Sequence, residues 1–287
     1  STLFPYTTLF RSISVAQRFN GEIVSADAMQ IYRGLDIGTA KVTKAERELV
    51  PHHLIDIVDM TDKFSVAEFV TRADQVINDI AKRGKLPVIA GGTGFYVKAL
   101  LGQQPLDFVA SDEAEVALLK QKSLPALVTM LKAADTILAS RVDLNNKQRV
   151  IRAIQIAMHG KRQEDISRPT YDALIVGIDW PREILYERIN RRAQKMLDDG
   201  LLSEVEHIMS VGGESIQAGK AIGYKEFFPY IRGEVTREQA LLAVQQNSRR
   251  YAKRQLTYLR HQIPGLIWLH GTDAATKLTS EVKAWLD

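Results

Sequence analysis

Asp27 is the first side chain in the sequence whose position suggests chemistry. Residues 22–26 read EIVSA, a largely apolar run that predicts a short buried strand. Asp27 follows at the carboxyl end of this strand, the edge where open α/β sheets bind their ligands. A carboxylate there can accept a proton from a reacting group, or it can cap the turn after the strand, which is the commoner role. Asp27 alone does not distinguish these two roles, and the other motifs of the chain are needed to do so.

The sequence GGTG at residues 91–94 is a second candidate ligand site. It follows a predicted strand at residues 86–90 and precedes a predicted helix. Glycines in such a junction let the backbone approach a ligand, and the first amides of the helix can bind an anion. Thr93 would add a hydroxyl group to these donors. A plain tight turn explains the glycines equally well, because a glycine-rich turn alone is a weak signal.

Arg192 is the third candidate, because it lies in the apolar stripe of a predicted helix that begins at Pro181. The apolar members of this stripe are Leu185, Ile189 and Met196. A guanidinium group stays charged, so Arg192 either extends into solvent or binds a carboxylate or phosphate. The basic neighbours predicted to lie on a solvated or RNA-facing side are Arg188, Arg191 and Lys195.

Basic and aromatic residues alternate in two C-terminal segments. Residues 220–226 read KAIGYKE, and a predicted helix running from Thr236 to about residue 262 contains SRRYAKRQLTYLRHQ. One flank of this helix carries Arg249, Lys253 and Arg260, the next carries Arg250 and Arg254, and the interleaved rings are Tyr251, Tyr258 and His261. This composition is typical of phosphate contact and base stacking in RNA recognition. A solvated basic helix is the alternative.

Alternating strands and helices predict an α/β fold with a parallel sheet flanked by helices. Further strands are predicted around Ile55 and Ile57, at residues 174–179 and at residues 266–269. Residues 112–139 and 146–159 read as helices without a strand between them, which indicates a helical insertion. We therefore expect an α/β core in two parts, residues 1–105 and 166–287, and an all-helical insertion at residues 106–165.

Composition excludes several classes of site. The 287 residues include no Cys, which rules out disulfides, thiolate zinc sites and thiol nucleophiles, and the six His lack the spacing of a metal site. No apolar run reaches the roughly 18 residues of a membrane helix. The net charge of +4 is too small to establish nucleic-acid binding alone. We expect a cytoplasmic, monomeric protein without a membrane segment.

Taken together and in order, the motifs resemble the tRNA dimethylallyltransferase family, the IPP transferases. The matching segments are SADAMQIYRGLDIGTAK, HHLIDI, GGTGFYVKALL, NNKQRVIRAI, GKAIGYKE and KRQLTYLR. The resemblance covers residues 13–287. It implies a P-loop-kinase-like α/β core, with the nucleotide- and ATP-binding character of that class, and an inserted helical tRNA-binding subdomain.

The resemblance also implies a reaction and roles for individual residues. The family transfers a dimethylallyl group from dimethylallyl diphosphate to N6 of the adenosine 3′-adjacent to the anticodon in tRNA, and releases diphosphate with the help of Mg²⁺. By resemblance, Asp27 is the general base, and Thr93 and Arg192 are catalytic residues that bind the diphosphate. The implied contacts with the anticodon arm are Asp27, Ala28, Met29 and Gln30; Gln148, Arg149, Val150, Ile151 and Arg152; Lys220, Ala221, Ile222, Gly223, Tyr224 and Lys225; and Lys253, Arg254, Gln255, Leu256, Thr257, Tyr258, Leu259 and Arg260.

Residues 1–12 depart from the family pattern. The family has a strand and a Gly-rich loop ending in Gly-Lys-Ser or Gly-Lys-Thr, whereas this segment reads STLFPYTTLFRS. Such a loop supplies diphosphate donors and a hydroxyl ligand for Mg²⁺, so the Mg²⁺ ligands of this chain are unassigned. The segment resembles a replacement of the first strand and loop, through truncation, sequence error or divergence. Two alternatives stay open: a tRNA-binding chain with impaired catalysis, and a small-molecule kinase on the same fold.

Overall fold

The computed structural model describes residues 5–104, 106, 111–160 and 168–287, with side chains from residue 11 onward. The chain divides into two compact units. The first, called the α/β unit here, comprises residues 1–103 and 170–287, and the second, called the helical unit, comprises residues 104–169. The predicted domain boundaries at residues 105 and 165 fall on positions outside the described residues.

The α/β unit contains five strands among its described residues. These are β1 (Gly21–Ser25), β2 (His52–His53), β3 (Leu86–Ala90), β4 (Val176–Asp179) and β5 (Ile267–His270). Its α-helices are α1 (Pro5–Arg18), α2 (Lys44–Leu49), α3 (Val66–Lys82), α4 (Gly94–Leu100), α9 (Arg182–Asp198), α10 (Leu201–Val211), α11 (Phe228–Ile231), α12 (Arg237–Gln262) and α13 (Ala274–Leu286). The helical unit contains α5 (Glu113–Lys120), α6 (Leu124–Ala134), α7 (Thr136–Arg141) and α8 (Lys147–His159).

All described strand pairs are parallel, which confirms the predicted α/β class. One sheet has the order β2-β1-β3, and β4 pairs with β5 in a separate sheet. Ile23 at the middle of β1 lies opposite Val88 of β3 and His52 of β2. Every residue of β1 is buried, as expected for a central strand whose two faces are covered by helices. The carboxyl ends of β1 and β3 therefore lie side by side.

The strand predicted in the segment HHLIDIV, around Ile55 and Ile57, forms only at the start of that segment, as β2 at His52–His53. Leu54 and Asp56 have φ angles of +59° and +55°, and a left-handed residue interrupts the extended conformation that a strand requires. This segment consequently pairs with β1 only through β2, and the residues that follow contribute an isolated bridge from Tyr32 to Val58.

The sequence before β1 predicts a helix that ends at Gly21 in a left-handed conformation, and the structure differs at this point. Asn20 takes that conformation, with φ of +50°, and Gly21 is already part of the strand. A glycine is required at position 21 for a different reason: a Cβ there would lie 2.7 Å from the carbonyl oxygen of Leu86. Its missing side chain allows the close pairing of β1 with β3.

The sequence predicts two capping boxes, because Ser65 and Thr236 each precede a Glu or Gln by three residues, and both boxes form at the starts of α3 and α12. Ser65 and Glu68 cap α3, and Thr236 and Gln239 cap α12. The buried face of α3 consists of Phe69, Val70, Ala73, Ile77 and Ile80. This face packs against β1, β3 and α4, so α3 covers the sheet beside the end of β3.

Helix α12 packs against both α9 and α4. Its contact with α9 is apolar, with Ala252 meeting Leu185 and Ile189 in one buried cluster. Asn190 of α9 adds polar contacts, because Arg249 donates to its side chain over 2.6 Å. The position of α12 therefore fixes both the helix that carries Arg192 and the helix that follows Thr93.

The helical unit has its own hydrophobic core. Its largest buried members are Leu119, Leu127, Leu131, Val150, Ile151 and Ile154. Gln155 is buried beside this core and donates to the carboxylate of Glu115 over 2.8 Å. Residues 111–160, which the structure describes continuously, contain helices and no strand, as the sequence predicts.

None of the described helices is both long enough and apolar enough to cross a membrane.

Candidate active site

Asp27 and Thr93 come together where β1 and β3 end. The hydroxyl oxygen of Thr93 accepts a hydrogen bond from the amide of Ala28 over 3.1 Å. The amide of Thr93 in turn donates to the carbonyl oxygen of Ala26 over 3.2 Å. These two bonds flank Asp27, so the carboxylate and the hydroxyl belong to one rigid junction. Because the Thr93 oxygen already accepts a bond, its hydroxyl proton remains available as a donor.

Asp27 also caps the turn, the second role that the sequence allowed. Its Oδ1 accepts hydrogen bonds from the amides of Met29 at 2.8 Å and Gln30 at 3.3 Å. Asp27 is only 2% exposed. Among the described residues, Oδ2 accepts no hydrogen bond. One carboxylate oxygen therefore holds the turn and orients the other, which is the oxygen that can accept a proton.

Two of the three glycines in residues 91–94 are explained by packing. A Cβ on Gly91 would lie 2.3 Å from the carbonyl oxygen of Ala26, a backbone atom that cannot move without breaking the strand pairing. A Cβ on Gly94 would lie 2.7 Å from the ring of Tyr258. The turn is thus pressed between the end of β1 and helix α12, and the glycines permit that contact.

Gln30 is buried and organises the loop after Asp27. Its side-chain amide donates to the carbonyl oxygens of Thr39 and Ala40 over 3.4 and 3.3 Å, and it accepts a 3.4 Å bond from Ser25. Direct tRNA contact by this side chain, which the resemblance implied, does not fit its burial. Ala28 and Met29 are half-buried.

A buried lysine holds the next part of this loop, and the sequence analysis did not single it out. The Lys41 ammonium donates to the carbonyl oxygen of Tyr32 at 2.7 Å and to carboxylates of Asp36 and Asp56, both at 2.6 Å. Its side chain is 2% exposed. The three contacts compensate the buried charge, so Lys41 ties the loop to the segment after β2. Its one sequence signal was its place in the motif GLDIGTAK.

Glu204 of α10 is a second positioning residue that the sequence did not reveal. Its carboxylate accepts hydrogen bonds from the amides of Asp36, Ile37 and Gly38 at 2.8, 2.7 and 3.1 Å. The hydroxyl of Tyr224 donates a fourth bond at 2.8 Å. Burial, followed by the charge of Glu204, raises the pKa of Tyr224 well above its ordinary value.

The tRNA contact predicted for residues 220–225 stays a prediction, and the structure shows which side chains of this segment are exposed. Tyr224 is fully buried, and its neighbours Ala221, Ile222 and Gly223 are buried as well. Only Lys220 and Lys225 are exposed. The tyrosine that resembled a base-stacking group instead holds Glu204, and the lysines are the residues of this segment that can reach a phosphate.

Arg192 lines a cavity of about 760 Å³ in the α/β unit. The basic residues that line this cavity are Lys41, Lys44, Arg47, Arg188, Arg191, Arg192 and Lys195. Acidic lining residues are fewer, namely Asp36, Glu46, Asp56 and Asp199. Such a surface attracts an anionic ligand. Asp27 and Thr93 are not among the residues that line this cavity.

Arg188 differs from its predicted place on a solvated side. It is half-buried, and its guanidinium lies over the Trp180 ring, 4.0 Å from the centroid. Stacking of this kind holds the guanidinium plane in one orientation. The cavity wall therefore contains one preoriented arginine next to Arg192 that charge patterning alone did not identify.

The predicted tRNA contacts on α12 divide into exposed and internal groups. Lys253, Arg254 and Thr257 are exposed. Arg260 is exposed too but pairs with Asp179 at 2.7 Å. The remaining members are half-buried or buried, namely Gln255, Leu256, Tyr258 and Leu259. The exposed group is the part of α12 suited to contact phosphates directly.

In the helical unit, Gln148 and Arg149 are exposed at the start of α8. Arg152 is half-buried, and burial lowers the pKa of its guanidinium. Val150 and Ile151 have their side chains in the core of the unit, and the tRNA contact predicted for these positions stays a prediction. Their role is to hold the helix that presents Gln148 and Arg149.

The described residues contain no group of three or more His, Cys, Asp or Glu side chains arranged to hold a metal ion. Protein ligands for Mg²⁺ consequently stay unassigned.

Comparison with known proteins identifies the family. The model of the IPP transferase family matches residues 30–262. A tRNA dimethylallyltransferase from Leuconostoc citreum is 99% identical over 276 residues, which cover 96% of this chain and 94% of that protein. The full-length tRNA isopentenylpyrophosphate transferase from Bacillus halodurans is 38% identical, with a TM-score of 0.73 over 98% of this chain and 92% of that one.

A eukaryotic dimethylallyltransferase acting on tRNA is 26% identical, with a TM-score of 0.80 over 96% of this chain and 74% of that chain. The family model and the high-identity relative both span most of the sequence. The chain belongs to the IPP transferase family.

Proposed function

We propose that this chain transfers a dimethylallyl group from dimethylallyl diphosphate to N6 of an adenosine in tRNA, the adenosine 3′-adjacent to the anticodon, and releases diphosphate. The observation that carries the proposal is the junction of Asp27 and Thr93 at the ends of β1 and β3. Membership of the IPP transferase family supports it. A tRNA substrate further favours a cytoplasmic enzyme, and we propose that it acts as a monomer.

Asp27 serves as the general base in this reaction. The exocyclic amine of adenosine is a weak nucleophile, and it must lose a proton as its nitrogen bonds to the allylic carbon. Oδ2 of Asp27 accepts this proton while Oδ1 stays bonded to the amides of Met29 and Gln30. The fixed Oδ1 orients Oδ2, so the acceptor is in place before the amine arrives. The adenosine reaches this buried carboxylate only when it leaves the stack of the anticodon loop.

The diphosphate is the leaving group, and it requires positive charge and hydrogen-bond donors. The bond from the allylic carbon to the diphosphate oxygen breaks as the new carbon–nitrogen bond forms. The hydroxyl of Thr93 donates a hydrogen bond to the departing oxygen and keeps its proton, so the diphosphate leaves with the bonding electron pair. Arg192 binds the diphosphate charge from the wall of the basic cavity, where Arg188 is its preoriented neighbour.

The tRNA backbone meets exposed cations on several elements. These are Arg149 on α8, Lys220 and Lys225, and Lys253 and Arg254 on α12. Each contact with a phosphate releases counterions, so tRNA affinity should fall steeply as salt rises.

Mg²⁺ completes the proposal as a partner of the diphosphate. Mg²⁺ is commonly held by one or two carboxylates together with substrate phosphates and water. The described residues provide no dedicated cluster of ligands. We therefore assign it no protein ligand and no step in the reaction.

The test is direct prenylation. The protein is incubated with tRNA lacking the modification, dimethylallyl diphosphate and Mg²⁺, and the digested nucleosides are analysed by mass spectrometry. We expect N6-dimethylallyladenosine from the site next to the anticodon. Absence of this product, with tRNA bound to the protein, would refute transferase activity for this chain.

Binding of tRNA without turnover is the second candidate. It is favoured by residues 1–12, which contain neither glycine nor lysine and so lack the phosphate loop of the family. This candidate predicts salt-sensitive tRNA binding with little product. Sustained turnover by the same preparation excludes it.

A further inference from the structure

Gln255 of α12 contacts the turn that carries Thr93. Its side-chain amide donates a short hydrogen bond to the carbonyl oxygen of Gly92. Gln255 is only 7% exposed although it lies in a strongly basic and largely solvated stretch of the helix. Among the described residues, its buried Oε1 has no hydrogen-bond partner. The Gln255 side chain thus binds the turn and does not extend into solvent.

Two tyrosines place the same face of α12 against the site. Tyr258, three residues after Gln255, packs on the Cα of Gly94 so closely that a Cβ there would lie 2.7 Å from its ring. Tyr251, four residues before Gln255, is close enough to Asp27 for that charge to contribute, after burial, to a raised pKa of about 12. Residues at spacings of three and four share one helix face. This face of α12 therefore lies against the junction of Asp27 and Thr93.

The opposite side of α12 carries the exposed basic residues. Lys253 and Arg254 directly precede Gln255, and both are exposed. A helix is stiff over one turn, so a force or shift applied at these cations reaches the buried face of the same turn. The contact between Gln255 and Gly92 is the polar link between the two surfaces.

We infer that Gln255 is a positioning residue that couples tRNA engagement by α12 to the placement of Thr93 and Asp27. This inference rests on the proposed function. It differs from the direct tRNA contact that the family resemblance implies for Gln255, because the side-chain amide is buried and already donates to Gly92.

Stability alone does not explain a glutamine at this position. A buried acceptor without a partner costs free energy, and a methionine of similar size would avoid that cost. Replacing Gln255 should consequently leave the fold intact while the turn loses its fixed position. A small displacement of catalytic groups can lower turnover by about 10²-fold.

The first test compares Gln255→Met with Gln246→Met. Gln246 is an exposed residue of the same helix outside the predicted tRNA contacts, so it controls for the chemical change. Gln255→Met should lower kcat by about tenfold to a hundredfold, with KM and Kd for tRNA within about twofold of wild type. Gln246→Met should keep wild-type kcat. Wild-type kcat in Gln255→Met, or a loss of tRNA affinity equal to the loss of turnover, overturns the inference.

Gln255→Glu provides a second test with a pH readout. A glutamate keeps the shape of the side chain, but its carboxylate cannot donate to Gly92, whereas the protonated acid can. Burial raises the pKa of such a group. The activity of this variant relative to wild type should therefore rise as the pH is lowered from about 8 to about 6. A constant ratio, with the variant folded, contradicts the assigned hydrogen bond.

Amide exchange separates this inference from the proposed function. Bound tRNA should slow exchange at residues 91–97 in the wild-type protein and not in Gln255→Met. This measurement needs no turnover, so it tests the coupling even if wild type gives no prenylated product. Unchanged exchange at residues 91–97 on tRNA binding to wild type refutes the coupling.

Discussion

Replacement of Asp27 by asparagine separates the turn cap that the structure shows for this residue from the general-base role that we propose for it. The asparagine oxygen can still accept the bonds from the amides of Met29 and Gln30, so the turn keeps its cap. The neutral amide cannot accept the proton of the adenosine amine. Asp27→Asn therefore removes the base while the geometry of the junction is preserved.

The two effects differ in size. A positioned general base contributes about 10²–10⁴-fold to a rate, equivalent to about 3–5 kcal/mol of activation free energy. Loss of the charge from two hydrogen bonds that are still made costs about 1 kcal/mol of stability, which lowers Tm by about 2–4 °C. Asp27→Ala is the comparison, because it also leaves the half-buried amide of Met29 and the buried amide of Gln30 without an acceptor, at up to about 1–3 kcal/mol each.

The assay is single-turnover prenylation with enzyme in excess over unmodified tRNA, together with a thermal melt and a tRNA-binding isotherm for each variant. We expect Asp27→Asn to lower the rate by at least about 10²-fold with nearly unchanged melting and tRNA binding, and Asp27→Ala to add a clear loss of stability. A wild-type rate in Asp27→Asn would show that Asp27 is only a cap. A rate that falls only in proportion to folded protein would show the same.

Three further predictions concern the surroundings of the site. Hydrogen bonds from Arg83 hold the pKa of buried Glu22 well below its usual range. Glu22 therefore stabilises the fold above its unfolded pKa, and this stability is lost as the pH falls below about 4.5. Glu22→Gln should be less stable at pH 7 by about 1–3 kcal/mol, and in urea titrations its free energy of unfolding should fall less steeply with decreasing pH than that of wild type. Gly91→Ala places a Cβ 2.3 Å from the Ala26 carbonyl oxygen and should cost about 1–3 kcal/mol in chemical denaturation, with reduced turnover. Arg192→Ala should weaken inhibition by inorganic diphosphate by about 10–150-fold, the equivalent of a charged hydrogen bond; unchanged inhibition would remove Arg192 from the diphosphate site.

Local signals in the sequence predicted much of the framework. The capping boxes at Ser65 and Thr236 involve residues three positions apart, and the chain forms both as predicted. The strand that precedes Asp27 was equally accessible, because a short apolar run before a polar turn is a local pattern. The strand around Ile55 forms only at the start of its segment for the converse reason, since two non-glycine residues with positive φ have no clear local signature.

The positioning residues could not be predicted, because their partners are remote in sequence. Glu204 lies 168 positions from Asp36, whose amide it binds. Gln255 lies 163 positions from Gly92. In both cases the polar residue sits on an amphipathic helix, where helical spacing shows which residues share a face but not which face meets the site. The bond of Tyr224 to Glu204 could not be predicted for the same reason: beside two lysines the tyrosine resembles an RNA-stacking ring, and only the fold reveals its buried partner.

Helix α12 connects the elements that carry Arg192 and Thr93. In the proposed reaction, Arg192 binds the diphosphate while the allylic carbon bonded to that diphosphate meets the amine beside Asp27 and Thr93. Helix α12 packs on α9, which carries Arg192, and on α4, which directly follows Thr93. A shift of α12 thus changes the distance that the substrate must span. Because the same helix presents Lys253 and Arg254 to tRNA, one rigid element sets the placement of both substrates.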